Sequence, residues 1–274
     1  MQGAFRRFRG CPGFPPSGFR DRVTLLQLRA GCRRIAAMST VIRSFGTCLV
    51  LFAVQPLVSQ AAPTTKGIIT DPAAPKPDGV VQLVGTESHA LVPESEGESN
   101  WVFAEGVLTA SPKWDSLVTK ESYQDFRLHV EFNVNKVENA PDPEADGNSG
   151  IYIQKRYELQ ILNSAGVSAE NYKPSYGGSI YKIKKPDQLV SKPSGEWQTY
   201  DIVFRGARFK DGTKTENARI TVYQNGTLIH DDYEIPKKTG AGSPEGPEPG
   251  PIKFQGHHNP VKFRNAWIQK LSLD

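Results

Sequence analysis

Cysteine is absent from most of this 274-residue chain. The three cysteines, Cys11, Cys32 and Cys48, all lie within the first 61 residues. The remaining residues, 274 minus 61 or 213 in number, therefore have neither disulfides nor a thiolate for catalysis or metal binding. A domain of this size can fold on a hydrophobic core alone.

Several motifs with well-understood chemistry are also absent. The sequence has no Gly-x-Ser-x-Gly nucleophile motif and no His-x-x-x-His or Cys-x-x-Cys metal pair. Its one histidine pair, His257-His258, could bind a single ion only from a loop, because adjacent residues of an extended strand point to opposite faces. The cofactor is therefore left open: a divalent metal can be accommodated, whereas no nicotinamide or flavin is expected.

Positive charge is concentrated at the N-terminus. The first 61 residues hold nine basic residues and one acid. The whole chain has a net charge of 33 minus 29, or +4, whereas residues 62–274 have a net charge of 24 minus 28, or −4. Basic residues in that remainder are dispersed, and no nucleic-acid reading motif is recognisable. Nucleic acid is therefore not an expected partner.

The N-terminal segment resembles a secretory signal. Arg43 precedes an apolar run over residues 45–54, and Ser59-Gln60-Ala61 has small residues at the two positions that a signal peptidase reads, Ser59 and Ala61. We predict a signal over 38–61 that is cleaved near Ala61, with 1–37 upstream of a misassigned start. The apolar run is shorter than the about 20 residues of a spanning helix. We therefore expect a secreted, periplasmic protein with no integral membrane span in the mature chain.

The remainder of the chain is predicted to be rich in strands. Residues 62–79 contain four prolines and are predicted to form a flexible tether, followed by one domain over 80–274. Apolar residues alternate with polar ones over 126–134, and Asn225-Gly226 is a strong hairpin signal between two further runs. With no long amphipathic helix, this pattern predicts an all-β sandwich or barrel.

One predicted hairpin, over residues 147–163, has two chemically different faces. Period-two alternation separates an apolar set from a polar set. The apolar set is Ile151, Ile153, Leu159 and Ile161, and the polar set is Tyr152, Gln154, Glu158 and Gln160. An acid, two amides and an aromatic ring suit the hydroxyl groups and flat C–H faces of a sugar. The alternative is an ordinary solvated sheet face.

Two loops allow more than one interpretation. Residues 236–251 are rich in glycine and proline and are expected to form either a lid or a disordered surface excursion. Residues 136–148 carry Asp142, Glu144 and Asp146 at a spacing similar to the start of a calcium loop. Ile153 at the twelfth position lacks the expected carboxylate, so a solvated acidic loop is the alternative.

Four segments occur in the order seen in the 3-keto-disaccharide hydrolase family: the hairpin and residues 178–181, 193–201 and 254–265. From about Trp101 to the C-terminus, the chain resembles this family. The resemblance implies an all-β, concanavalin A-like lectin/glucanase jelly-roll sandwich of two antiparallel sheets. It also implies a carbohydrate substrate bearing a 3-keto group, which a separate sugar oxidoreductase would supply.

The resemblance further implies an elimination reaction. A 3-keto group acidifies the hydrogen at C2, so a base can remove it and the C1 substituent can leave by β-elimination. Addition of water to the product would give net hydrolysis. The alternative is a non-catalytic, lectin-like carbohydrate-binding module with the same fold.

The family motifs assign roles to particular residues. Glu158 matches the glutamate of a Tyr-Glu-x-Gln-Ile core and would act as a base or orienting acceptor, unless it pairs with Lys155 or Arg156. His257 matches the histidine of a Gln-x-His motif and would transfer protons, unless it only caps a turn. Eight residues are predicted to bind substrate: Tyr152, Gln154, Gln160, Asn163, Tyr181, Lys182, Gln255 and Arg264.

Three of these eight need comment. Lys182 would stabilise an enolate. Arg264 lies in a terminal strand, where an arginine often only pairs with a carboxylate. Asn163 replaces an aspartate found in many relatives, which would weaken activity if that aspartate were a base or a metal ligand.

Overall fold

The structure is a computed structural model that describes residues 64–274. The predicted upstream extension and signal segment lie outside these residues. Within the described range the chain forms one 3-10 helix, Pro143–Ala145, and fifteen strands. The strands are β1 Val81–Val84, β2 Leu91–Pro93, β3 Val102–Ala104, β4 Val107–Thr109, β5 Leu117–Thr119, β6 Asp125–Asn133, β7 Ser149–Ile153, β8 Tyr157–Ile161, β9 Trp197–Arg205, β10 Arg208–Lys210, β11 Thr213–Glu216, β12 Ala218–Gln224, β13 Thr227–Ile235, β14 Lys253–Phe254 and β15 Lys262–Leu271.

The strands form two principal antiparallel sheets. An eight-stranded sheet has the order β13-β12-β9-β6-β15-β4-β3, with β1 also paired to β15, and a five-stranded sheet has the order β2-β5-β14-β7-β8. Strands β10 and β11 form a separate ribbon. The predicted jelly-roll sandwich is confirmed. None of the helices in residues 64–274 is long and apolar enough to cross a membrane.

The core lies between the two sheets. Alternate residues of β6, including Leu128 and Val130, are fully buried with Ile202 of the neighbouring β9. Ile151 and Leu159 contribute from the five-stranded sheet. This arrangement follows from the period of two in a strand, which places one set of side chains inside and leaves the other set for the outer face.

Both predicted hairpins are present. Asn225 and Gly226 connect β12 to β13 with φ of 53° and 79°, as a type I′ turn requires. Residues 154–156 connect β7 to β8. Gln154 and Lys155 have φ of 54° and 56°, and the N–H of Arg156 donates to the carbonyl oxygen of Ile153. The second turn is tight although it lacks the usual Asn-Gly pair, so Gln154 belongs to the turn and not to a strand.

Part of the predicted tether is held against the domain. Thr65 is fully buried; its N–H and hydroxyl both donate to Asp232, each at 2.8 Å. Ile69 is also buried, and its carbonyl oxygen accepts a bond from Tyr223. Of the segment 62–79 predicted to be a flexible tether, residues 65–69 thus contact the outer face of the eight-stranded sheet, whereas residues 70–79 are mostly exposed.

Candidate functional site

The β7–β8 hairpin positions the polar residues as the alternation predicts. Tyr152 and Glu158 are directly opposite each other, and Gly150 is opposite Gln160. These side chains lie on the face of the five-stranded sheet away from the core, yet Tyr152, Glu158 and Gln160 are all at least 96% buried. Loops must therefore cover this face.

The segment after Gly177 covers the outer edge of β8. The N–H of Gly178 donates to the carbonyl oxygen of Gln160, and the N–H of Tyr181 donates to that of Glu158. This pairing extends the sheet by a short irregular segment. It places the side chains of Tyr181 and Lys182 next to Glu158.

The 236–251 loop covers a second side. The hydroxyl of Thr239 accepts a hydrogen bond from the N–H of Glu158 at 2.8 Å, and the N–H of Thr239 donates to the carbonyl oxygen of Arg156. Farther along, the carboxylate of Glu245 accepts a bond from the hydroxyl of Tyr157 at 2.6 Å. The loop is thus neither a lid nor a disordered surface excursion, the two predicted alternatives; it is an ordered wall that is hydrogen-bonded to the hairpin.

Together these elements enclose a cavity of about 260 Å³. It brings together most of the predicted site residues: Tyr152, Glu158, Gln160, Tyr181, Lys182, Gln255 and His257. Five further residues complete its wall: Trp114, Glu144, Asn148, Gly240 and Ala241. A polar cavity with one buried acid, several hydroxyl and amide groups and an exposed tryptophan at its edge suits a sugar ring.

The environment of Glu158 favours its neutral form. Burial raises the pKa of Glu158 to about 7, and the nearby Glu144 carboxylate adds to the effect. The Tyr152 hydroxyl, Lys253 and Lys182 oppose this shift by favouring the charged form. A carboxyl group with this pKa exchanges protons near neutral pH, as a general base requires.

Gly150 forms the floor beneath two of the polar groups. A β-carbon on Gly150 would lie 2.8 Å from Oε1 of Glu158 and 3.3 Å from Oε1 of Gln255. Oε1 of Gln255 is buried without a hydrogen-bond partner among the described residues. Because a buried polar atom without a partner is costly, the amide of Gln255 is available for a ligand.

Tyr181 and Lys182 form a second group on the wall. The hydroxyl of Tyr181 donates to Oε2 of Glu144 at 2.9 Å. The ammonium of Lys182 lies 4.9 Å from the centre of the Tyr181 ring, and the contact with Tyr181 raises the pKa of Lys182. Lys182 therefore provides a permanent positive charge at the cavity.

The surroundings of His257 favour its neutral form. Burial is the main cause that lowers the pKa of His257 below its usual value. The imidazole contacts the ring of Trp114 edge-on, with 4.1 Å between the ring centres. A neutral imidazole can donate a hydrogen bond, but it is not the imidazolium that proton transfer to a leaving group would use.

Two predicted binding residues lie away from the cavity. The side-chain amide of Gln154 donates to the carbonyl oxygen of Tyr123 at 2.8 Å, because the type I′ turn removes Gln154 from the strand alternation. The side-chain amide of Asn163 donates to Oδ2 of Asp146 at 2.7 Å. Asn163 thereby fixes the acidic loop, and its side chain is not in the cavity wall.

Arg264 is the third residue outside the cavity. Its guanidinium donates to Glu131 at 2.6 Å and lies 4.0 Å from the centre of the Trp197 ring. These contacts are on the outer face of the eight-stranded sheet, whereas Glu158 lies on the five-stranded sheet. The structure thus corresponds to the alternative in which Arg264 pairs with a carboxylate. Glu158 does not pair with Lys155, which instead binds Glu94.

The acidic loop over residues 136–148 contributes a residue to the cavity wall. Its Glu144 faces the cavity, while the carboxylate of Asp146 accepts bonds from Val137 and Asn163. Within residues 64–274, no group of three or more histidine, cysteine, aspartate or glutamate side chains is placed to hold a metal ion.

Comparison with known proteins agrees with the fold. Residues 88–269 match the family described as the 3-keto-alpha-glucoside-1,2-lyase-like domain. A candidate glycosyl hydrolase from Parabacteroides distasonis is 31% identical; the match covers 71% of this chain and 85% of that one, with a TM-score of 0.63. A second such protein from the same organism is 25% identical, with 70% and 99% covered and a TM-score of 0.48. The search of curated proteins found no match.

The fold and the cavity define a carbohydrate-active protein with a jelly-roll domain. The chain belongs to the 3-keto-alpha-glucoside-1,2-lyase-like family, also known as the 3-keto-disaccharide hydrolase family.

Proposed function

We propose that this protein cleaves the glycosidic bond of 3-keto-glycosides, including 3-keto-disaccharides, by removing the C2 proton and eliminating the C1 substituent. The main support is Glu158, a buried carboxyl group with a pKa of about 7 on the wall of a polar cavity. Its basicity exceeds that of an ordinary carboxylate, and it is still substantially ionised at neutral pH.

The first step forms an enolate. The Glu158 carboxylate takes the C2 proton, and the electrons of the C–H bond move toward the C3 carbonyl oxygen. Lys182 lines the cavity, and its ammonium group can stabilise the developing negative charge, while Oε1 of Gln255 can accept a hydrogen bond from a sugar hydroxyl. Burial and the nearby Glu158 raise the pKa of Tyr152, so its hydroxyl stays protonated as a further donor.

The second step breaks the bond between C1 and the leaving oxygen as the C1–C2 double bond forms. The proton now on Glu158 can pass to the leaving oxygen, which regenerates the carboxylate. Neutral His257 would donate a hydrogen bond to that oxygen. Water can later add to the unsaturated ketone and give the free 3-keto sugar, so that the net reaction is hydrolysis.

The proposal includes a partner, which the chemistry supports, and a location, which the predicted signal supports. The ketone must be in place before C2 becomes acidic, so a separate oxidoreductase must first oxidise the C3 hydroxyl. The signal predicted over residues 38–61 supports a periplasmic location. Fractionation of cells that produce the full chain, with N-terminal sequencing of the mature protein, tests that location.

Turnover of defined substrates tests the function. The full-length protein and Glu158→Gln are incubated with 3-keto-trehalose and with a 3-keto-β-glucoside, each with and without a chelator, while aglycone release is measured. We expect release by the native protein and a loss of at least about 100-fold in kcat for the variant, with substrate affinity nearly unchanged. Loss of release with the chelator would identify a metal requirement. Sugar binding without release by the native protein would instead support the binding-module alternative.

A further inference from the structure

The catalytic cavity shares a wall with a second cavity. The second cavity has a volume of about 590 Å³, compared with about 260 Å³ for the first. Glu144, Asn148 and His257 line both cavities. A substrate that lies over Glu158 can therefore extend past His257 into the second cavity.

We infer that the second cavity holds the leaving group and that its lining sets the preference for that group: Trp114 favours a sugar ring over a small alcohol, and the two wall carboxylates disfavour an anion. The inference rests on the proposed elimination and adds the nature of the group that departs. In an elimination with Glu158 as base, the oxidised ring must occupy the cavity that contains Glu158. The glycosidic oxygen then lies at the shared wall, beside His257.

Trp114 is placed to contact a second ring. It is 64% exposed, lies at the edge of the catalytic cavity and contacts His258, a wall residue of the second cavity, with ring centres 4.8 Å apart. Its loop is held by the next residue, Asp115, whose carbonyl oxygen accepts a hydrogen bond of 2.7 Å from the indole N–H of Trp101 and packs closely on Gly256. An exposed indole in a fixed position offers the flat apolar surface on which the C–H face of a sugar packs.

The charge of the second cavity argues against an anionic leaving group. Asp142 and Glu144 lie on its wall, and no lysine or arginine of the described chain lines it. The two carboxylates can accept hydrogen bonds from sugar hydroxyls, whereas they would repel a uronate or a sugar phosphate. The expected leaving group is therefore an uncharged hexose.

Matched substrates test this inference. We would measure kcat/KM of the native protein and Trp114→Ala with three 3-keto-glucosides whose leaving groups are methanol, glucose and glucuronic acid. The variant should lose about 10-fold with the glucose compound and less than about twofold with the methyl compound. Val81→Ala, which removes another exposed apolar side chain on strand β1 of the eight-stranded sheet, should change neither value.

A second substitution tests the charge argument. At low salt, where screening is weakest, Asp142→Asn should raise the ratio of kcat/KM for the glucuronic acid compound to that for the glucose compound several-fold. Equal losses for the methyl and glucose compounds in Trp114→Ala would overturn the inference. It would also fail if the native protein used the glucuronic acid and glucose compounds equally well.

Binding measurements separate this inference from the proposed function. The dissociation constants of the methyl and glucose compounds are measured by calorimetry in the Glu158→Gln background, with and without Trp114→Ala. A roughly 10-fold weaker affinity for the glucose compound alone supports the leaving-group site even if the native protein shows no turnover. Unchanged affinity for both compounds contradicts it.

Discussion

The hydroxyl of Thr239 accepts a hydrogen bond of 2.8 Å from the backbone N–H of Glu158. Thr239 is almost fully buried, and its hydroxyl also donates to the carbonyl oxygen of Arg156 at 3.3 Å. The 236–251 loop therefore holds the strand that carries the proposed base. Thr239 is a positioning residue, because it contacts the backbone of Glu158 and not the substrate.

Replacing Thr239 by valine should weaken catalysis. Valine keeps the shape of threonine but leaves the N–H of Glu158 without an acceptor, which costs about 1–3 kcal/mol. We expect kcat to fall about 10-fold with little change in KM, and Thr239→Ser to retain most of the activity. If serine and valine have equal effects, the hydroxyl is not the important feature.

Replacing Gly150 by alanine should displace the two groups above it. The new methyl group would lie 2.8 Å from Oε1 of Glu158, which is closer than a β-carbon normally approaches. We expect kcat to fall by about 100-fold, since a displacement near 1 Å of a reacting group has effects of this size. Gly246→Ala is the matched control, because its nearest neighbour is 3.6 Å away, and it should remain active.

Glu158 should make folding stability depend on pH. Its pKa is about 7 in the folded protein, compared with the ordinary value of 4.5 that applies to the unfolded chain. Ionisation of Glu158 therefore opposes folding as the pH rises from about 4.5 to about 7. Relative to the native protein, Glu158→Gln should gain up to about 3 kcal/mol of unfolding free energy at pH 8 and nothing at pH 4. Urea unfolding at the two pH values would measure this, and an equal difference at both would contradict it.

Arg264 should be important for stability and not for turnover. Substitution by glutamine removes its bond to Glu131 and its contact with Trp197, both remote from the cavity. We expect the unfolding free energy to fall by about 1 kcal/mol while kcat/KM stays within about twofold. A large loss of kcat/KM in a folded Arg264→Gln variant would instead support the substrate-binding role implied by the family resemblance.

Restoring the aspartate of many relatives at position 163 should not increase activity. The Asn163 amide donates to Asp146, so Asn163→Asp would place two carboxylates at hydrogen-bond distance. We expect lower thermal stability at pH 8, recovery near pH 4 as one carboxyl group is protonated, and no gain in kcat. A clear gain in kcat would show that Asn163 limits catalysis.

The sequence pattern predicts the strands well because their information is local. Alternation identifies which face of the hairpin contains Tyr152, Glu158 and Gln160, and Asn225-Gly226 identifies a turn from two residues. Gln154 shows the limit of this reasoning. The alternating pattern assigns Gln154 to the strand, but the residue belongs to the turn. Gln154 and Lys155 both adopt positive φ there, which neither residue type predicts.

Two loop residues of the cavity wall could not be predicted as site residues, because distant packing places them. Trp114 and Glu144 come from separate loops with no periodic pattern, and only the folded sandwich brings them beside Glu158. An isolated tryptophan among turn residues at 111–115 was the one available signal for Trp114. Arg264 was ambiguous for the same reason, because its family motif did not show which sheet face it would occupy.

The position of hydrogen at C2 tests the central claim most directly. A 3-keto-disaccharide is cleaved in deuterium oxide, and the released 3-keto sugar is analysed by nuclear magnetic resonance. As a control, the authentic 3-keto sugar is incubated with Glu158→Gln in deuterium oxide, which measures uncatalysed exchange at C2. Elimination followed by hydration predicts that the native protein introduces deuterium at C2 and that Glu158→Gln releases almost no product. Release with the original C2 hydrogen retained would contradict the account and would indicate direct hydrolysis, with Glu144 and Glu158 as the paired carboxyl groups.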